Sequence, residues 1–415
     1  MSLPSNPNGE PVILIYDSAI SGHHGDYLYH LVRYLWNESM SFRSCFLVHP
    51  EFMERYSAYL PAATPRSAIT FNMLDPPSLQ RIAAAGSLSA RSAREWTVVR
   101  TYAEDIRCRH CILMNMNIFQ SALGMPDQRV LPFSVSGIFF SPYTRLDTTG
   151  RGGAGLTGKM RRLKKKYLLR WMLRNNSIQN VYILNDPATV RELNDQFPLR
   201  NVFRLLPDPV PVPPEAIKPE YSLRHQYQIP SSLKVFLFFG SINRRKGIFE
   251  TIDIFSNLPP AVARGAALAI LGNPDKEIRP FLDQAISRLQ GRRSELLVIY
   301  DPRFFRTDEM HGAFKSADFI LAPYLRTQSS SGVLGLAAWA RKPVIGFAGG
   351  LLGELIRDNH LGYTIPTGHL EDFLRLIEEL VRNTPGLFPT SGMTDYVKRN
   401  TPDHFAKIIL GNAGL

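Results

Sequence analysis

The sequence predicts an α/β protein of two consecutive domains, each a doubly wound parallel sheet with helices on both faces. Three observations carry that prediction. The chain has 415 residues, and single hydrophobic cores stop growing near roughly 250–300 residues. Short apolar, β-rich runs alternate with helical stretches in both halves, as they do when helices cover parallel strands. Between the halves, Leu205–Pro214 holds five prolines in ten residues. Prolines remove backbone donors and forbid helix, so this stretch reads as a stiff connector.

In the first half, Val12–Tyr16 (VILIY) is a buried first strand, followed by the loop Asp17–Asp26 and a helix over Tyr27–Leu35. Cys45–Val48 is the next strand. Most of Ser78–Asp105 is expected to be helical, Cys111–Met114 and Val135–Phe140 are further strands, and Asn180–Leu184 is expected to be the last of this half. The pattern then restarts. Val235–Phe239, Ala267–Leu271, Leu296–Tyr300, Phe319–Ala322 and Pro343–Phe347 are successive strands separated by helices, and Asp403–Leu410 is a final short helix. The expected domains are therefore 1–205 and 206–395, with a tail, 396–415, packing back on the first. Two such sheets facing each other across a cleft would place ligands at the carboxyl ends of their strands.

Composition narrows the class. Hydrophobic residues make up 44% and charged residues 20%, which fits a globular chain and excludes a disordered one. No apolar run approaches the ~18 residues of a membrane span. Met1–Glu10 is polar and lacks the blocks of a signal peptide, so it reads as a loose lead-in. Three cysteines, Cys45, Cys108 and Cys111, suit a reducing cytoplasm. Cys108 and Cys111 have C-x-x-C spacing, but no second pair exists and they precede an apolar run, so they read as incidental. The net charge of +12 implies an acidic partner.

Three loops after strands carry candidate chemistry. Phe239–Ile248 (FGSINRRKGI) ends a strand in Gly240, turns through Ser241, gathers Arg244, Arg245 and Lys246, and enters the next helix at Gly247. Backbone amides at a helix start, with fixed cations, make an anion site suited to phosphate. In the second loop, Ser329, Ser330 and Ser331 lie where a helix N-cap is needed, and Gly332 and Val333 open an apolar helix. The third, Phe347–Glu354, repeats the glycine theme after Pro343–Ile345. In the first half, the loop after the first strand holds Gly22, His23 and His24. Two adjacent histidines with no carboxylate motif beside them do not make a metal site, and no Asp-x-Asp motif is present.

From Lys234 to Ile365 these motifs resemble the retaining glycosyltransferases of family 4, which have the GT-B fold of two Rossmann-like domains; the first half resembles them only loosely. In that family a glycine-ended strand is followed by an arginine and, five positions on, a Lys-Gly that grips the donor diphosphate. Lys246-Gly247 matches the lysine, Ser241 stands at the arginine position, and Arg244 or Arg245 could supply the charge. The family's two glutamates, with seven residues between them, would fall at Gln328 and Leu336, so neither is present. The chain is similar to a branch reading Ser331-Gly332-Val333 there, with Glu354 retained after Gly349-Gly350. Gly22 fits the family's glycine-rich loop between donor phosphates and acceptor.

The resemblance implies a transferase that moves a sugar from a nucleotide diphosphate sugar to a glycan, lipid-linked or small-molecule acceptor with retention. Lys246 and Arg245, with His24, would be catalytic. Gly240, Ser241, Arg244, Gly247, Ser329 to Val333 and Glu354 would bind the donor, and Gly22 and His23 would line the phosphate and acceptor loop. Fixed cations would replace a metal, and the nucleotide sugar would be substrate, with no further cofactor. The lost glutamates leave a second reading open, a catalytically silent GT-B protein that binds a glycan or assists a partner enzyme.

Leu156–Arg174 is a basic helix in which Leu156, Met160, Leu163, Tyr167 and Trp171 share one face. Lys159, Arg161, Arg162, Lys164, Lys165, Lys166 and Arg170 cover most of the rest. Such a helix can lie on an anionic membrane, which would make the protein cytoplasmic and peripheral to the inner face. It can equally pack its apolar stripe on the core and leave the charges in water. Nucleic acid is disfavoured, because no stacking aromatics interrupt the basic run Lys159–Lys166.

Overall fold

A computed structural model describes residues 9–20, 23–57, 60, 64–146, 156–210, 221–325, 330–383 and 388–412, with the side chains of 156 and 157 excepted. The chain divides into two compact units, one running to Pro209 and taking in the tail from Pro402, the other Val210–Thr401. Each is built on a parallel sheet, so the α/β class and the pair of Rossmann-like domains are those the sequence predicts.

The first unit has seven strands: β1 (Val12–Asp17), β2 (Arg43–Val48), β3 (Ile69–Met73), β4 (His110–Leu113), β5 (Ser134–Ile138), β6 (Ile178–Leu184) and β7 (Phe203–Leu206). Their order is β3-β2-β1-β4-β5-β6-β7. Chain order reverses between β1 and β4, which is the topological switch point where doubly wound sheets bind ligands. β1 pairs in parallel with both neighbours, Leu14 facing Cys45 on one side and Cys111 on the other. Two strands are additions to the sequence reading. β6 is not the last of this half, since β7 follows it, and β3 was not anticipated. The tail helix Pro402–Gly411 buries Phe405, Ala406, Ile409 and Leu410 in the layer that also holds Leu28, Leu31 and Leu35.

The second unit has six strands: β8 (Lys234–Phe239), β9 (Ala266–Leu271), β10 (Leu297–Asp301), β11 (Phe319–Ala322), β12 (Val344–Phe347) and β13 (Gly362–Ile365). Their order, β10-β9-β8-β11-β12-β13, places the switch point between β8 and β11. β8 is buried at five of its six positions and β9 at all six. That double coverage explains why both read as unbroken apolar runs.

The basic helix, Leu156–Met172, turns a different face inward than its most regular stripe suggests. Leu169 and Met172, followed by Leu173, enter the core, and Trp171 closes over Gly124, where a Cβ would lie 1.8 Å from the indole. Met160 is 66%, Leu163 66% and Tyr167 60% exposed. The core-packed reading of that stripe is therefore overturned for these three residues.

The cysteine pair is structural. Cys108 and Cys111 are free and buried; burial pushes the Cys108 thiol up to about 12 and that of Cys111 well above its ordinary value. Among the described residues no group of three or more His, Cys, Asp or Glu is placed to hold a metal, and no helix is long and apolar enough to cross a membrane.

Two buried histidines give the first unit an acid sensitivity. Neither ring nitrogen of His30 has a protein partner, and burial, with Arg33 nearby, lowers its pKa to about 3. Burial lowers that of His110 to about 4. Both folded values lie below the unfolded one near 6.5. The unfolded chain therefore takes up these protons first, and the stability present above pH 6.5 is lost as pH falls. At pH 5 each histidine is expected to cost about 2 kcal/mol relative to pH 7. His30→Leu should remove its share of that slope in a urea-unfolding series across pH; an unchanged slope would contradict the assignment.

Candidate functional site

The C-terminal ends of β8 and β11 meet in the second unit at its switch point. Leaving β8, Gly240 takes φ +106°, and Gly272, after β9, takes φ +137°. The two backbones approach so closely that a Cβ on Gly272 would lie 1.9 Å from the Gly240 carbonyl oxygen. Ile242 N–H then donates to the Asn273 carbonyl (2.9 Å), which holds the turn on its neighbour. A single 3-10 turn, Arg244–Lys246, follows, and Gly247, left-handed at φ +76°, starts the helix Ile248–Ser256.

This turn sets the three cations in different places. Lys246 folds back across Gly240, where a Cβ would meet Nζ at 3.2 Å. It stands 5.5 Å above the ring of Tyr324, and the Arg245 guanidinium is 6.0 Å from the same ring. Arg244 departs from the sequence reading. It lies over Phe249 (4.9 Å) and Phe281 (5.9 Å), away from Tyr324, so Arg245 is the arginine that accompanies Lys246. Among the described residues neither Lys246 nor Arg245 has a side-chain hydrogen bond or ion pair. Two cations without counter-ions at a switch point favour an anion strongly.

The loop after β11 is fastened to this turn. Leu325 N–H donates to the Arg245 carbonyl (2.9 Å), and Gly247 packs under Pro323, whose carbonyl oxygen would lie 2.0 Å from a Cβ. The Tyr324 hydroxyl lies 3.4 Å from Ser331 Oγ. Ser331 is the N-cap of the helix Gly332–Ala340 and makes no side-chain cap bond. The helix Ile248–Ser256 likewise has no side-chain cap. Two helix starts therefore offer backbone N–H groups beside the cations.

Ser241 is exposed in the basic turn, and Ser330 is half-buried just before Ser331. Val333 enters the core, so what it can offer a ligand is its backbone. Glu354 is half-buried on the helix Gly350–Asp358, which starts after β12, one strand beyond β11. Gly22 and Ser329 lie outside the described residues.

Gly247 permits a direct test of this packing. Gly247→Ala would force a left-handed backbone on alanine and drive its Cβ into Pro323. A loss of about 2–4 kcal/mol of stability is expected, with anion binding at the turn lost as well. A variant with wild-type melting and binding would contradict this arrangement.

In the first unit, β1 ends in Asp17, which is buried, and His24 opens the helix His24–Asn37. His24 Nδ1 is 2.6 Å from an Asp17 carboxylate oxygen, and Ala19 N–H donates to the other (2.9 Å). Burial pulls the His24 pKa down, but the hydrogen bond and charge of Asp17 outweigh it and raise the value above normal; Arg91 opposes them weakly. Beneath this pair Glu95, wholly buried, accepts from Tyr16 (3.2 Å), Ser18 (3.0 Å) and Arg91 (2.6 Å). His23 is exposed and stacks on Tyr27 at 5.7 Å. Asp17, Glu95 and Arg91 were missed from the sequence. The available signal was Asp17 itself, a carboxylate closing an otherwise apolar strand, seven positions before His24.

Comparison with known proteins agrees with this architecture. Residues 233–383 match the family model described as Glycosyl transferases group 1. No curated protein matches the sequence. Among solved structures, the Anabaena protein Alr3699/HepE in complex with UDP and glucose superposes with a TM-score of 0.66 at 14% identity, covering 97% of this chain and 98% of that one. Sucrose-phosphate synthase from Thermosynechococcus elongatus gives 0.67 at 16% identity, covering 97% of each. WaaG, a glycosyltransferase involved in lipopolysaccharide biosynthesis, gives 0.62 at 16% identity, covering 96% of this chain and 100% of that one. The second unit thus carries the match to glycosyl transferases group 1, and the chain as a whole has the GT-B fold.

Proposed function

We propose that this protein is a glycosyltransferase that moves a sugar from a nucleotide diphosphate sugar to a hydroxyl acceptor. The observation that carries the reading is the pair Lys246 and Arg245, unpaired beside two uncapped helix starts at the β8/β11 switch point. A diphosphate is the leaving group of such a transfer, and charge grows on it as the glycosidic bond breaks. Fixed cations aimed at that charge stabilise the transition state without a metal. The second unit is then the donor domain, and Gly240, Ser241, Ser330, Ser331, Gly332 and Glu354 line its donor site. The match of residues 233–383 to glycosyl transferases group 1 supports this, as does the UDP bound by the Anabaena neighbour. Retention of configuration follows from the resemblance to family 4, and the anomeric coupling constant of the product reads it.

The acceptor is a glycan or a lipid-linked sugar, and the first unit receives it. The exposed stripe Met160, Leu163 and Tyr167, bordered by Lys159, Arg161, Lys164, Lys166 and Arg170, seats that unit on an anionic membrane surface. The protein then works peripherally, on the cytoplasmic side.

A second reading has its own observation. Leu336, at the position of one family glutamate, is buried in the core, so no carboxylate serves there. A silent GT-B protein that binds glycan would look the same at that point. Incubation with a panel of nucleotide sugars separates the two. The transferase reading expects release of nucleoside diphosphate from at least one. Nucleotide binding without any turnover supports the silent protein, and the absence of both turnover and nucleotide binding contradicts the transferase.

A further inference from the structure

The helix Leu88–Asp105 in the first unit is apolar on two sides. Trp96, Val99 and Ala103 enter the core. Around the helix from them, Val98 and Tyr102 recur with Arg94, Thr101 and Asp105 at three- and four-residue steps, which puts all five on one face. That face is one wall of a cleft of about 480 Å³, a volume within the range that takes small molecules. The helix Pro76–Ala83 supplies the other wall through Ser78, Arg81 and Ile82, and Leu47 of β2 and Leu74, just after β3, also line it. The Tyr102 hydroxyl lies 3.3 Å from Cys45 Sγ, which fixes the tyrosine ring in its wall.

One end of this cleft is cationic. Arg94 donates to the Arg81 carbonyl (2.6 Å) and Arg81 to Ser78 Oγ (3.0 Å), and among the described residues neither guanidinium has an ion pair. Asp75 is near Arg81, but its carboxylate is engaged by the Ser78 N–H (2.6 Å) as the cap of its helix. Asp105 marks the other end, eleven positions from Arg94 and so about 16 Å along the helix. We propose that the cleft binds a single-chain amphiphile with one anionic head, a carboxylate or a phosphate monoester. The head sits on Arg81 and Arg94, and the chain runs along Val98 and Tyr102. Charge complementarity sets the direction, because Asp105 repels an acid at its own end. The site shares no residue with the cations at β8/β11 or with the basic helix Leu156–Met172, so it does not depend on the transferase reading.

Calorimetric titration of the full chain, below micelle concentrations, tests it with decanoate, decyl phosphate, decanol and inorganic phosphate. One-site binding is expected for decanoate, decyl phosphate or both, at least tenfold tighter than for decanol or inorganic phosphate, and the tighter acid shows which head the arginines prefer. Arg94→Gln and Arg81→Gln should each weaken that acid about tenfold and leave decanol unchanged. Thr101→Trp, at an exposed position of the wall, should fill the cleft and remove binding of every chain without lowering the melting temperature. Replacing Lys159, Lys164 and Lys166 together by glutamine should change nothing, which separates the cleft from the basic helix. The proposal is overturned if neither acid binds, if decanol binds as tightly as the acids, or if both arginine variants bind like wild type. Binding to anionic vesicles that depends on Arg94, with no binding of the single-chain acids, would make this a bilayer contact and overturn the cleft as well.

Discussion

Lys246→Ala is expected to weaken binding of a nucleoside diphosphate about 10- to 150-fold, the equivalent of one charge-assisted bond of roughly 1.5–3 kcal/mol. Binding of the bare nucleoside should not change. The reason is geometric. The 3-10 turn Arg244–Lys246 and the left-handed Gly247 return the lysine across Gly240, and Tyr324 supports it from below. No carboxylate among the described residues competes for its charge. Arg245→Ala should behave similarly, whereas Arg244→Ala should have a much smaller effect, because Phe249 and Phe281 hold that guanidinium elsewhere. Calorimetric titration of the three variants with UDP and uridine decides it. An equal loss for nucleoside and diphosphate would show that Lys246 does not meet the phosphates.

The second large effect concerns the membrane. Replacing Lys159, Lys164 and Lys166 together by glutamine should reduce binding to phosphatidylglycerol-containing vesicles by roughly two orders of magnitude, at about 1 kcal/mol per basic residue near an anionic surface. Binding to pure phosphatidylcholine vesicles should be weak throughout. Leu163→Ser should weaken binding further without lowering the melting temperature, because Leu163 lies outside the core. This distinguishes the exposed stripe from the helix's anchors, Leu169, Met172 and Leu173, whose truncation would destabilise the unit. Cosedimentation with the two vesicle types measures it, and indifference to lipid charge would remove the membrane from the account.

What the sequence made legible follows from burial. The central strands β1, β8, β9, β11 and β12 are covered on both faces and read as plain apolar runs. The three strands that escaped, β3 (ITFNM), β7 (FRLL) and β13 (GYTI), all lie at sheet edges. β3 and β13 are only half-buried along their whole length, so no strong pattern marks them. The basic helix misled for a related reason. Its most regular apolar spacing belongs to the outward face, while the inward face, Leu169 and Met172, begins only in its last turn.

At the site, the cation-bearing turn was legible because glycine, lysine and arginine cluster at a strand end. Which arginine accompanies Lys246 was not, since that depends on Phe281, far away in sequence. The Asp17–His24 couple needed a turn geometry that spacing alone does not specify. Glu95 reaches Tyr16 and Ser18, on either side of Asp17, from a helix more than seventy positions on.

The central claim is that a nucleotide diphosphate sits at the β8/β11 switch point. Hydrogen exchange of the backbone amides, compared with and without UDP or another nucleoside diphosphate, locates it most directly. Slower exchange is expected chiefly in Gly240–Ile248 and Ser330–Leu334, where the uncapped helix starts lie, with no such slowing in Lys246→Ala at the same ligand concentration. Slowing that appears only elsewhere, or that survives unchanged in Lys246→Ala, would contradict it.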